Sequence, residues 1–248
     1  MKSVILCEGK TDAILISYYL GRTKNWLHLK NPKKAGLTSL PIRNEENEFA
    51  DWYTCDGRYL AIWGVGSKDN FEYAIGKILE YNISARGDST FQKIVVITDR
   101  DQLDADQQKL EELCRHFARL GVNVQIQNRR WVTSPYHDGF GNEMNLDILA
   151  LVIPFDKKGA LETFLLDALS RKDEEDRKVV EASIEFISSL NSQKYLLAER
   201  MRVKAELAAT LAVMYPDKVF TPINNLLQEI PWEKYPDIQE GFREIEEI

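Results

Sequence analysis

The sequence predicts an α/β fold, a parallel sheet flanked by helices with an α-helical C-terminal extension. Three observations predict it. Short apolar runs of strand length recur as far as Ile126, segments of helical periodicity separate the later runs, and from Gly159 onward the pattern is almost wholly helical. Strand alternating with helix is the pattern of a parallel sheet covered by helices.

The apolar runs are Val4–Cys7, Tyr59–Trp63, Ile94–Ile97 and Val122–Ile126, each short enough for a strand. Between them, Phe71, Ile75, Ile78 and Leu79 share one helical face, and Leu110, Leu113, Cys114 and Phe117 share another. Asp104 and Gln107 stand at capping-box spacing before the second of these helices, and Gly121 stands just past its end. A further run, Ile148–Phe155, contains Pro154 and reads as an edge strand. Residues 128–145 are rich in loop formers and aromatics and read as an ordered insertion. The tail is broken by the acidic stretch Asp173–Arg177 and by Pro216, Pro222, Pro231 and Pro236. The expected organisation is an α/β domain over residues 1–170 and a helical extension over 171–248 that packs on it.

Composition narrows the class. With 248 residues, 44% of them hydrophobic and 29% charged, the chain has enough apolar material for a good core. It holds no apolar run near the roughly 20 residues of a membrane span, and its opening residues do not form a signal peptide. Three widely spaced cysteines, Cys7, Cys55 and Cys114, suit neither a disulfide framework nor a zinc cluster, so a reducing cytoplasm is the expected compartment. The net charge of −7 has the wrong sign for a general nucleic-acid binder. Its distribution differs: Arg22, Lys24, Lys30, Lys33, Lys34 and Arg43 fall in one loop-like stretch, 22–43, with no acidic residue and with Trp26 and His28 interleaved. Such a loop is either a solvated insertion or a place for a phosphate backbone and a stacked base.

The stretch Val4–Asp12, VILCEGKTD, ends an apolar run in Glu8. In parallel α/β sheets ligands bind at the carboxyl ends of strands, where Glu8 falls. Gly9 permits a tight turn, and Asp12 lies in the first turn of the next helix, where the positive dipole end favours an anion. The run IVVITDRD ends in Asp99 and Asp101, which point to one side if the chain stays extended. A second D-x-D, Asp104 and Asp106, reads as a solvated helix start. Two carboxylates ~4 Å apart repel by about 4 kcal/mol at an effective dielectric of 20, so converging acids call for a cation or a shared proton. The three histidines share no motif spacing, which leaves oxygen ligands and points to Mg²⁺ or Mn²⁺.

The pairing of CEGKTD after the first strand with TDRD after a later one resembles the Toprim domain of topoisomerases, bacterial primases and overcoming-lysogenization-defect nucleases. It is most similar to a small, stand-alone and poorly characterised Toprim group related to those nucleases. The resemblance implies a Rossmann-like sheet, Glu8 as acid or base, and Asp99 and Asp101 as holders of a divalent metal; Glu8, Glu162 and Asp12 are expected to join them as ligands of one or two divalent cations. WGVGSKDN (Trp63–Asn70) resembles the glycine-rich turn after the second strand, and GALETFLLDAL (Gly159–Leu169) a helix carrying Glu162. Lys10 and Lys68, beside these motifs, and Lys30, Lys33 and Lys34 of the basic loop are the candidate phosphate contacts. A functional lysine follows the acidic motifs in related nucleases, and KAELAATLA places Lys204 there. Lys204 also lies in a stripe of Leu197, Met201, Ala208, Leu211 and Tyr215 expected to pack on the body of the protein.

The sequence departs from the family where many members have a glycine after D-x-D; here Gln102, Leu103 and Asp104 follow. The length leaves no place for a topoisomerase cleavage domain or a primase zinc module. Three readings stand. The first is metal-dependent phosphodiester hydrolysis or phosphotransfer on DNA or RNA. The second is a Toprim-like protein that binds nucleic acid or nucleotide without cutting, or that acts with a partner ATPase. The third is another α/β phosphohydrolase, although that class usually has its aspartate after the first strand, where this chain has Glu8. No G-x-x-x-x-G-K-[ST] string is present, which argues against ATP hydrolysis by this chain.

Overall fold

The computed structural model describes residues 1–43, 46–85, 89–102, 105–218 and 220–248. Among them, β1 (Lys2–Cys7), β2 (Leu27–His28), β3 (Glu48–Cys55), β4 (Arg58–Val65), β5 (Phe91–Asp99), β6 (Val132–His137) and β7 (Glu143–Ile153) form one sheet, ordered β2-β3-β4-β1-β5-β7-β6. β1 pairs in parallel with β4 and with β5, so the expected parallel core is present. Its flanks are antiparallel: β2 with β3, β3 with β4, and β6 with β7. The helices are α1 (Lys10–Lys24), α2 (Phe71–Ser84), α3 (Ala105–Ala118), α4 (Leu161–Lys172), α5 (Glu174–Ser189), α6 (Glu199–Met214), α7 (Ile223–Glu229) and α8 (Pro236–Gly241). No helix among the described residues is long and apolar enough to cross a membrane.

The chain divides into two compact units. The first comprises Met1–Thr98, Leu103–Val152 and Glu244–Ile248; the second comprises Asp99–Gln102 and Ile153–Arg243.

In the first unit the sheet's alternation sorts its residues between two faces. Val4, Leu6, Trp63, Ile94, Val96 and Ile148 join Phe71, Ile75, Ile78 and Leu79 of α2 and Leu110, Leu113 and Phe117 of α3 in one core. Ile5, Ile62 and Val95 are equally buried on the other face, and α1 packs on β4 and β3. Central strands buried on both faces need continuous apolar runs, which is why VIL, LAIW and IVVI are uninterrupted. The run Val122–Ile126 forms no strand. Val122, Val124 and Ile126 are buried in the α2/α3 core by their side chains alone, because the outer place beside β7 is taken by β6. β6 is the structure within the expected insertion 128–145, and as the edge strand it tolerates Pro135. β7 is therefore interior rather than an edge. Gly121 does follow α3 with a positive φ of 83°; the cap expected at Asp104 lies outside the described residues. The last five residues also belong to this unit. Arg58 donates to the carbonyl of Ile248 at 2.9 Å, Trp131 donates to that of Glu244 at 3.0 Å, and the Tyr19 hydroxyl donates to Glu246 at 2.7 Å.

In the second unit α4 packs on α5, α6 and α8. These contacts join α4 to the helices that follow it within this unit. Phe155, Phe164 and Phe242 meet edge to face, with centroids 5.9 and 5.7 Å apart. The acidic stretch at 173–177 starts a helix rather than interrupting one. Asp173 accepts from the Asp176 N–H at 2.9 Å, and Glu174, Glu175 and Asp176 fill the first turn of α5, where the dipole favours them. The apolar stripe expected on α6 is shifted: Leu207, Thr210 and Leu211 are its buried residues, whereas Leu197 and Met201 are exposed.

Candidate functional site

In the first unit β1 ends at Cys7 and Glu8 follows it, 7% exposed. Gly9 turns the chain into α1. Its N–H donates to Asp12 Oδ2 at 2.8 Å, and its carbonyl accepts from Ala13 N–H at 3.2 Å. Asp12 thus caps α1 and fixes the turn that carries Glu8, a structural task for a residue expected among the metal ligands. β4 passes close by. A Cβ at Gly64 would lie 2.4 Å from the Gly9 oxygen and 2.7 Å from its carbonyl carbon, so the WGVG segment contributes a close backbone approach. Gly64→Ala is expected to lower stability by about 1–3 kcal/mol through overpacking against immovable backbone. Urea midpoints measure this, with Gly76→Ala as control, since a Cβ there meets only Leu120 at 3.9 Å. Equal midpoints would refute the close-approach argument.

Thr98 Oγ1 donates to Glu8 Oε1 at 2.7 Å and accepts from Lys109 Nζ at 3.3 Å. The Lys109 ammonium also lies 3.9 Å from Glu8 Oε1, with the two side chains 13% and 9% exposed. The opposite charge and the hydroxyl offset the cost of burying Glu8. Thr98 and Lys109 were not singled out from the sequence. Thr98 is one residue from Asp99, but Lys109 sits on α3 and only tertiary structure brings it to Glu8. Lys10 and Lys68 are exposed, Lys10 as the first residue of α1 and Lys68 in a 3₁₀ turn after β4. Lys30, Lys33 and Lys34 are exposed as well. Their loop is anchored: Leu37 is buried, the Tyr73 hydroxyl donates to the Pro41 carbonyl at 3.1 Å, and the Arg43 N–H donates to Glu48 Oε2 at 2.6 Å.

In the second unit Asp99 is 8% exposed, and its Oδ1 accepts from the Leu161 N–H at 3.2 Å, at the start of α4. The helix end suits the carboxylate. Arg100 stitches the segment down: its N–H donates to the Ile153 carbonyl at 2.6 Å, its carbonyl accepts from the Gly159 N–H at 2.8 Å, and its guanidinium donates to the Phe155 carbonyl at 2.5 Å. Because β5 ends at Asp99, the strand alternation does not extend to Asp101, which is exposed. Glu162, the second residue of α4, accepts from Lys204 Nζ of α6 at 2.5 Å.

Among the described residues no three His, Cys, Asp or Glu side chains are grouped as a metal cluster requires. Two of the expected acids have partners within their own units: Asp12 accepts from the Gly9 N–H, and Glu162 pairs with Lys204. The donor chemistry nonetheless fits Mg²⁺, which takes one or two carboxylates and completes its shell with water and phosphate oxygens.

The fold is α/β, with a parallel strand core that ends in acidic residues and a unit of helices. The chain belongs to the family described as Protein of unknown function (DUF3226), whose model matches residues 2–222. That span contains every residue discussed in this subsection. No curated protein matches the chain significantly. Among solved structures, hypothetical protein PH0156 from Pyrococcus horikoshii OT3 is similar over 98% of this chain and 99% of that one, with 15% identity and a TM-score of 0.49. The cytosolic domain of the T. maritima FeoB iron transporter in GDP form II aligns over 98% and 99%, with 9% identity and a TM-score of 0.20. At these values neither likeness bears on chemistry.

Proposed function

We propose that this protein is a divalent-metal-dependent, Toprim-like hydrolase of nucleic-acid phosphodiesters. The observation that carries the reading is that β1 and β5, adjacent and parallel, run out into Glu8 and Asp99 at the same end of the sheet. Asp99 and Asp101 would hold Mg²⁺ or Mn²⁺, which when bound offsets charge on the attacked phosphate. Glu8 takes the proton of the attacking water as its oxygen bonds to phosphorus, and a proton returns to the leaving oxygen as the phosphodiester bond breaks. Thr98 and Lys109 hold Glu8 in one orientation. The test is a cleavage screen in Mg²⁺ and in Mn²⁺ on single-stranded, duplex and nicked DNA and on RNA. Turnover that needs the metal and is lost with Glu8→Gln supports the reading; no cleavage of any substrate refutes it.

The absence of a three-acid group among the described residues favours a second reading, binding of nucleic acid or nucleotide without cleavage, alone or with a partner ATPase. Both readings use the basic loop. Replacing Lys30, Lys33 and Lys34 by alanine is expected to reduce the slope of log affinity against log salt for a single strand by about 2, at about 0.7 for each lost phosphate contact. An unchanged slope would assign the loop to solvent.

A further inference from the structure

Glu8 and Lys109 form a buried pair of opposite charges in the first unit, their side chains 9% and 13% exposed. Other lysine pairs stand in more water, Lys24 with Glu246 at 40% and 25%, and Lys77 with Glu80 at 38% and 58%. Lys109 lies early in α3, next to Leu110, which is buried in the core beneath that helix. Taking both charges out of water offsets most of what their attraction returns, so stability alone is a weak reason for such a pair.

The hydrogen bonds around the pair run in one direction. An ammonium has donors and no acceptor, so Thr98 Oγ1 accepts from Lys109 Nζ at 3.3 Å, and the one hydroxyl proton goes to Glu8 Oε1 at 2.7 Å. Thr98 is 5% exposed on β5, the strand that pairs with β1. Glu8 Oε1 therefore accepts a hydroxyl and faces a fixed positive charge 3.9 Å away. A divalent ion that sought this carboxylate would find its charge already balanced. It would also meet like-charge repulsion from the ammonium in a setting where water and salt screen little.

We propose that Lys109 is the resident cation of Glu8 and keeps that carboxylate out of metal ligation. A divalent ion then falls to Asp99 and Asp101 alone, and Glu8 is reserved for moving a proton. The division has a chemical reason, since lone pairs committed to a metal are not available to take the proton of an attacking water. The use made of Glu8 rests on the hydrolase reading above. The role of Lys109 does not, because it concerns which cation the resting chain holds there.

The test is calorimetric titration of the full chain with Mn²⁺, without substrate. Glu8→Gln is expected to leave the number of bound ions unchanged. Lys109→Gln keeps a donor for Thr98 but removes the charge, and is expected to bind a further Mn²⁺ or to bind Mn²⁺ at least ~10-fold more tightly. Adding Glu8→Gln to it should abolish that gain. Urea midpoints supply a second readout that needs no titration. Mg²⁺ should raise the midpoint of Lys109→Gln more than that of the double variant, because only the single variant leaves a buried carboxylate uncompensated for the ion to bind. Loss of a bound ion in Glu8→Gln, or an Mg²⁺ response of Lys109→Gln no greater than that of the double variant, overturns the proposal. The expected titrations with no cleavage of any substrate would sustain the role of Lys109 and refute the hydrolase; metal-dependent cleavage with an ion lost in Glu8→Gln would do the reverse.

Discussion

Asp99→Asn combined with Asp101→Asn is expected to lower metal-dependent cleavage by at least ~10³-fold, the equivalent of the several kcal/mol of charge stabilisation a divalent ion supplies. The fold should tolerate the change. An asparagine at 99 keeps an oxygen that can accept from the Leu161 N–H, so the first N–H of α4 retains its partner. Losing a negative charge beside a helix N-terminus costs about 0.3–1 kcal/mol. Asp101 is exposed, and substitutions at such positions usually fall within about 0.5 kcal/mol. Calorimetry with Mg²⁺ decides the matter independently of turnover: a site lost in the double variant supports the assignment, and equal binding by both chains excludes it.

What the sequence made legible follows burial. β1, β4 and β5 are apolar on both faces, so their runs stood out, and the acids that follow β1 and end β5 stood out with them. β3, EFADWYTC, alternates and lies after a loop, and nothing in its pattern marks it as the strand beside β4. Val122–Ile126 misled for the opposite reason: alternate residues reach the core, and the backbone finds no ladder. Pro154 suggested an edge for β7, but it lies just past the strand's last residue and costs the ladder nothing. At the site, the strand-end residues were readable because sheet topology alone places them. Lys109, and the capping of α1 by Asp12, depend on distances that periodicity does not encode.

Lys204→Met is expected to lower metal-dependent turnover by ~100-fold while leaving the fold and metal affinity nearly intact, the range seen when a preorganised electrostatic stabiliser is lost. The Lys204 ammonium reaches Glu162 at 2.5 Å, with the two side chains 41% and 14% exposed. An ion pair this open contributes about 0–1 kcal/mol, so stability should move little. Glu162, left behind in the first turn of α4, still benefits from the helix dipole. The pair also fixes where the ammonium sits, at the residue next to the one whose N–H holds Asp99. If Lys204 acts on charge developing at phosphate, its loss should reduce kcat with KM nearly unchanged. Glu162→Gln, which keeps the ammonium, should then be milder by at least tenfold. Should the two variants instead lose activity and stability equally, the pair is a strut between α4 and α6. Should Lys204→Met cleave normally, the lysine has no part in the chemistry.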